Sequence, residues 1–215
     1  MPAREAVPCV QRDHAAHPLP ATVDMSVPIT EQELRKRPLY RRFAGSDDHV
    51  MLFVAGHGVL VNGGYHMVAA NFDGVLLPGN TISAEEIVDR SRQIPALSQW
   101  LVFDTCHAGG LGDLLRELHD SRVQVLARQS GMHVFAAAST TEEALDGYEG
   151  NGLFTYSLLD GIGSALSADA NADRQVSIVE LGAFNQARTR ELARRLKHRQ
   201  EPVIVHHGDD RFVAN

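Results

Sequence analysis

Three short apolar runs punctuate the chain, and each stops abruptly at small or polar residues. HVMLFVA ends in Gly56-His57-Gly58, WLVFDT ends in Cys106-His107-Ala108-Gly109-Gly110, and MHVFAAAS opens into the polar, acidic stretch TTEEALDGYEGNG. Such runs, rich in Val and Phe and bounded by turn residues, read as buried strands feeding loops. VLV and YHMVAA flank the turn signal Asn62-Gly63-Gly64 and predict a hairpin. Ser83 caps a predicted helix, AEEIVDRSRQI, whose Ile87, Ser91 and Ile94 share one face. Thr30 with Glu33 forms a capping-box start for TEQELRKR, which Pro38 interrupts.

Further helices are predicted over roughly 112–129, over LFTYSLLDGIGSAL and over VSIVELGAFNQARTRELARRLKHR, the last two around a short polar loop. VIVHH adds a short final strand, with His206 and His207 expected at the surface of its end. Residues 1–28 hold five prolines and no apolar period, so they read as an irregular leader ahead of a domain spanning 29–215. Buried strands alternating with helices predict an α/β layered fold around a mainly parallel sheet.

Composition leaves this picture intact and narrows the function. Charged residues make up 22% of the 215 and hydrophobic ones 44%, the balance of a globular domain. A formal net charge of −7 argues against general affinity for nucleic acid or anionic membrane and favours basic peptides as partners. The cationic run from Arg188 to Arg199 reads as the solvated face of a helix. No apolar stretch is long enough to span a membrane, and the start lacks the apolar core of a signal peptide. Cys9 and Cys106 sit in unrelated settings, so no disulfide framework is expected and a reduced cytoplasm fits.

In α/β sheets, sites gather outside the carboxyl ends of the strands. Two strands here end in reactive side chains, His57 and Cys106. If they are parallel neighbours, imidazole and thiol meet on one rim, where histidine favours the thiolate and shuttles its proton. Gly58 N–H and Cys106 N–H sit where oxyanion donors belong. The rival readings are an inert buried thiol and a loop histidine. A zinc site built from Asp104, Cys106, His107 and His57 finds no paired-ligand spacing in its support.

AGHG after one strand and DTCHAGG after another resemble the caspase and metacaspase superfamily, the C14 peptidases of clan CD. The caspase histidine lies about 50 residues before the cysteine, and here 106 − 57 = 49. AAASTTEEALDGYEGNGLFTYSLLDGI resembles the opening of the small-subunit half of bacterial members, from about residue 131, and RQEPVIVHHGDDRF resembles their closing segment. The resemblance implies a three-layer caspase-like fold, N-terminally truncated, since the family's opening strand has no counterpart here. It implies an exposed sheet edge open to a pairing partner.

It also implies a cysteine-type endopeptidase with His57 as general base and acid, Cys106 as nucleophile, and Gly58 and Cys106 amides as the oxyanion hole. Asp104 matches the acidic floor of the metacaspase S1 pocket, so cleavage after Arg or Lys is expected; its rival reading is a local cap at the strand end. Ser139 and Thr140 match positions lining that pocket. Arg116, Arg122 and Arg128 lie where such enzymes are nicked. Two alternatives stand beside this: a catalytically impaired interaction module, and a CHAT-type peptidase with one dedicated protein substrate.

No cofactor is required, but a calcium pattern stands apart from the rim. Asp169, Asn171, Asp173, Gln175, Ser177 and Glu180 occupy positions 1, 3, 5, 7, 9 and 12 of an EF-hand loop. Arg174 stands where that loop has glycine, and the rival reading is an Asx-rich turn before a helix.

Overall fold

The computed structural model describes residues 49–62, 64–69, 71–72, 79–96, 98–106, 131–139 and 141–214. The leader, the helix expected from Thr30, the stretch 107–130 with its three arginines, and Thr140 lie outside the described residues. Four strands form the central sheet in the order β1 (His49–Gly56), β5 (Ser98–Thr105), β6 (Met132–Ala136), β8 (Val203–His206). The first three run parallel and β8 is antiparallel to β6. This is the mainly parallel α/β sheet that the three apolar runs predict.

The β5 and β6 runs are apolar without interruption because both faces of the sheet are covered there, whereas β1 leaves Met51 and Phe53 exposed. Side chains alternate along β5. Leu101 and Phe103 pack on one face with Val134, Ala136, Tyr65, Ile82, Ile87 and Val88. Val102 packs on the other with Phe135, Phe154, Leu158, Ile178 and Leu181. The first face carries α1 (Ala84–Ser91) and an antiparallel sheet of β2 (Gly58–Val61), β3 (Gly64–Val68) and β4 (Thr81–Ser83). The second carries α2 (Leu153–Ile162) and α3 (Ile178–Arg195). The hairpin forms as its turn signal predicts, with Asn62 in the left-handed region at φ 51.

Several boundaries differ from the pattern reading. Helix α1 stops at Ser91, short of Ile94, and α2 stops at Ile162 before Gly163. Val176 and Ser177 are not helical; they form β7, paired with β9 (Phe212–Ala214). Ser177 caps α3 through a capping box with Glu180. The cationic run is more than a solvated face: Arg188 Nε donates to Asp160 Oδ2 (2.9 Å), tying α3 to α2, and Arg190 Nε donates to Glu201 Oε2 (2.7 Å).

His206 and His207 are also not surface residues. His207 is buried, and His206 is half-buried against Gly182 of α3, where a Cβ would stand 2.8 Å from its Nε2. His206 Nδ1 lies 3.2 Å from Nδ1 of the buried His133, its cross-strand partner. The pair can share one proton but not carry two charges. Burial, reinforced by His206, pushes the His133 imidazole down to about 4, and burial also lowers His206.

A histidine whose folded value lies below its ordinary 6.5 binds fewer protons folded than unfolded. Its contribution is therefore full above pH 6.5 and is lost as pH falls toward 4. His133 accounts for about 3 kcal/mol of that loss. Urea midpoints at pH 7.5 and 4.5 should differ by more in the wild type than in His133→Leu; an equal drop refutes the assignment.

Candidate active site

The parallel pairing of β1 and β5 runs in register from His49↔Ser98 to Ala55↔Asp104 and Gly56↔Thr105. His57 and Cys106 are the next residue on each chain, so they leave the rim side by side, with strands about 5 Å apart. His57 is exposed and Cys106 is half-buried. The His57 carbonyl accepts from Val68 N–H (2.9 Å), which fixes the chain where β1 gives way to β2. Cys106 Sγ faces the Ala144 carbonyl at 3.9 Å.

Gly58 is buried and presses on the same corner. A Cβ there would stand 2.2 Å from the Cys106 carbonyl oxygen and 2.6 Å from Tyr65 Cε2. Beneath it, Tyr65 Oη and Thr105 Oγ1 are hydrogen-bonded at 2.8 Å, and the Tyr65 ring meets Phe103 edge-on at 6.3 Å. Burial raises the Tyr65 phenol far above its usual range, so it stays neutral. The rim that carries Cys106 thus rests on a packed, hydrogen-bonded floor.

Asp104, two residues before the thiol, is buried and reaches the N-terminus of α2. Gly152 is the N-cap there and offers no side chain. Asp104 Oδ2 takes that place, accepting from Thr155 N–H (3.3 Å) and Thr155 Oγ1 (2.5 Å). An anion at a helix N-terminus is favourable, and a residue larger than glycine at 152 would put its Cβ 2.2 Å from that oxygen. Burial raises the Asp104 carboxyl, the Thr155 hydrogen bonds oppose this, and the negative charge of Asp146 raises it further. The local cap expected for Asp104 at its own strand end is not what forms; Asp104 instead caps a helix 51 positions away.

Ser139 is half-buried beyond β6, and its carbonyl accepts from Glu142 N–H (3.2 Å). It opens the segment 141–151, which the sequence marks only as a polar loop. Three consecutive residues of that segment matter. Ala144 approaches the thiol, the Leu145 N–H is held by buried Gln200 (2.9 Å), and Asp146 acts on Asp104. Sequence reading missed Asp146 and Gln200. The acidity of the loop was a signal for the first; the second has none, because its partners are distant in sequence.

The residues of the calcium pattern fold on one another. Asp169 Oδ2 accepts from Arg174 N–H (2.9 Å), Asp173 Oδ1 from Gln175 N–H (2.8 Å), and Asn171 Oδ1 from Asp173 N–H (2.8 Å). Glu180 divides its carboxylate between Ala170 N–H (3.2 Å) and Ser177 N–H (2.9 Å). Arg174 takes the left-handed conformation at φ 66. Among the described residues, no three His, Cys, Asp or Glu side chains gather as a metal site would require. No described helix is long and apolar enough to cross a membrane.

A parallel sheet presenting a thiol at its carboxyl rim, closed by one antiparallel strand and covered by helices, defines an α/β protein of caspase-like architecture. The chain belongs to the caspase domain family, Peptidase C14, whose profile matches residues 23–212. Membership makes it a member of a family of cysteine peptidases. A crystal structure of a Geobacter sulfurreducens protein aligns over 79% of this chain and 69% of its own, with 14% identity and a TM-score of 0.46. No curated protein matches.

Proposed function

We propose that this protein is a cysteine endopeptidase of the reducing cytoplasm that cleaves proteins or peptides after arginine or lysine. The observation that carries the reading is the β1–β5 register, which ends in Gly56↔Thr105 and sets His57 and Cys106 at matching rim positions. In this reading Cys106 Sγ attacks the scissile carbonyl carbon and its proton passes to His57. His57 returns the proton to the departing amine, and a water molecule then hydrolyses the thioacyl enzyme. Gly58 and Cys106 N–H groups receive the developing oxyanion.

The basic P1 preference is supported by the carboxylates of Asp104 and Asp146, close enough for one charge to disfavour the other. Among the described residues neither forms an ion pair, and a guanidinium or ammonium between them would relieve the repulsion. Ser139 and Thr140 complete the pocket in this reading. Peptides ending in Arg, Lys or Asp, assayed with and without iodoacetamide, test it. Turnover of the Arg and Lys peptides that alkylation abolishes is expected, and equal turnover of the Asp peptide sinks the pocket assignment. Asp146→Asn should raise KM for the Arg peptide about tenfold, the size of one charge-assisted contact.

A second reading is favoured by the exposed edge. On β1, the outermost of the described strands of the central sheet, Met51 and Phe53 are 51% and 43% exposed. A sheet-pairing module that binds a partner strand here, without turnover, would show no cleavage of any peptide in the panel. Calcium in the 169–180 loop is a separate proposal that no catalytic step uses. A calorimetric titration with millimolar calcium that releases no heat ends it.

A further inference from the structure

Gln200 lies in the connector between α3 and β8, and only 1% of it is exposed. The chain leaves α3 through Lys197, in the left-handed region at φ 57, and turns back toward the rim. There the carboxamide of Gln200 spans the two ends of one loop. Its Nε2 donates to the Ala137 carbonyl (2.9 Å), immediately after β6, and its Oε1 accepts from Leu145 N–H (2.9 Å). Ala137 is itself anchored, since its N–H donates to the Phe103 carbonyl (2.8 Å) in β5.

The residues beside Gln200 grip the same loop. His198 Nε2 meets the Glu143 carbonyl at 3.0 Å, Arg199 Nε pairs with Glu142 Oε1 (2.7 Å), and Glu201 N–H donates to Glu142 Oε2 (2.8 Å). The His198 contact is exposed and Arg199 reaches its partner from solvent, so each is weak alone, while the Glu142 side chain that Arg199 and Glu201 share is only 10% exposed. Gln200 itself is buried, its bond to Ala137 is buried and its bond to Leu145 is part-buried, so losing the side chain strands a donor and an acceptor that are shielded from water to different degrees. Leu145 lies between Ala144, whose carbonyl faces the Cys106 thiol at 3.9 Å, and Asp146, whose negative charge acts on Asp104.

We propose that Gln200 is a positioning residue for the substrate site, a clamp that sets where Ala144 and Asp146 stand relative to Cys106 and Asp104. The proposal rests on the peptidase reading for its kinetic test, but the clamp itself can be read without turnover. A bound substrate chain would lie across the segment Gln200 holds, and a displacement of about 1 Å in such a support lowers rate by roughly 10²-fold.

Gln200→Leu removes both hydrogen bonds and should lower kcat/KM for the Arg peptide by about 10²-fold at every pH. It should also narrow the preference for Arg over Lys. Gln200→Glu separates positioning from mere filling. A protonated glutamic acid can still donate to Ala137 and accept from Leu145. An ionised one turns a carboxylate toward the Ala137 carbonyl and releases the loop. Burial raises such a carboxyl above its ordinary range, so activity relative to wild type at the same pH should fall at least tenfold between pH 5.5 and pH 8.

A folded Gln200→Leu with wild-type kcat/KM and Arg-to-Lys ratio overturns the proposal, as does a Gln200→Glu ratio that is flat with pH. If the wild type cleaves no peptide, the peptidase reading fails, and hydrogen exchange decides the clamp alone. Faster exchange at residues 141–147 in Gln200→Leu supports it, and unchanged exchange overturns it. Should Gln200→Leu fail to fold, the same exchange is compared in Gln200→Glu at the two pH values, with faster exchange at pH 8 expected and no difference overturning it.

Discussion

Cys106→Ala is expected to lower kcat/KM for an Arg peptide by about 10⁴-fold or more while leaving the thermal midpoint unchanged. Loss of a covalent nucleophile removes the whole two-step route, and what remains is catalysis by binding and oxyanion donors alone. Little stability should go with it. Cys106 is half-buried, and among the described residues the hydrogen-bond contact of its Sγ is a long one, 3.9 Å to the Ala144 carbonyl. His57→Ala should cost a similar factor, because thiol and imidazole act as one unit. The double variant should then be no worse than either single one. Steady-state rates for the three variants beside their melting curves check this; turnover by purified Cys106→Ala within about tenfold of the wild type would falsify the nucleophile assignment.

The parts of this site that the sequence announces are those whose signal is local. β5 and β6 are legible because strands buried on both faces carry unbroken apolar runs; β1 carries such a run too, although Met51 and Phe53 are exposed. His57 and Cys106 are legible because each follows such a run directly, and their pairing then needs only parallel neighbours in register. β4, β7 and β9 are two or three residues long and leave no period to detect. His206 and His207 read as a surface strand end because nothing near them in sequence reveals that α3 packs over that end. Asp104 reads as a pocket floor or a local cap. Its real hydrogen-bond partner, Thr155, is 51 positions away. Gln200 reaches 55 positions back to Leu145 and 63 to Ala137. Contacts of that span are decided by tertiary packing, so a lone sequence shows the rim and hides what steadies it.

Gly58→Ala should be among the most damaging single methyls in the described part of the molecule, and it separates the two meanings of the glycine after His57. If that glycine served only flexibility, alanine would cost a few tenths of a kcal/mol. Space decides otherwise. The added Cβ would stand 2.2 Å from the Cys106 carbonyl oxygen, 2.6 Å from Tyr65 Cε2 and 3.2 Å from Thr105 Oγ1. The nearest atom is backbone at the end of β5, and Tyr65 is pinned by its bond to Thr105 and its packing on Phe103. Neither neighbour can swing aside, so the rim must spread. Overpacking of this kind costs on the order of 3 kcal/mol, or roughly 10 °C in Tm for a chain of this size. Spreading the rim also moves Cys106 from His57, so peptide turnover should fall by about 10²-fold beyond any loss of folded protein. Gly79→Ala is the control, since nothing lies within 4 Å of a Cβ at that position. Melting curves and rates for the two variants decide the matter: if Gly58→Ala melts and turns over like Gly79→Ala, the close approach of β2 to the Cys106 corner is wrong.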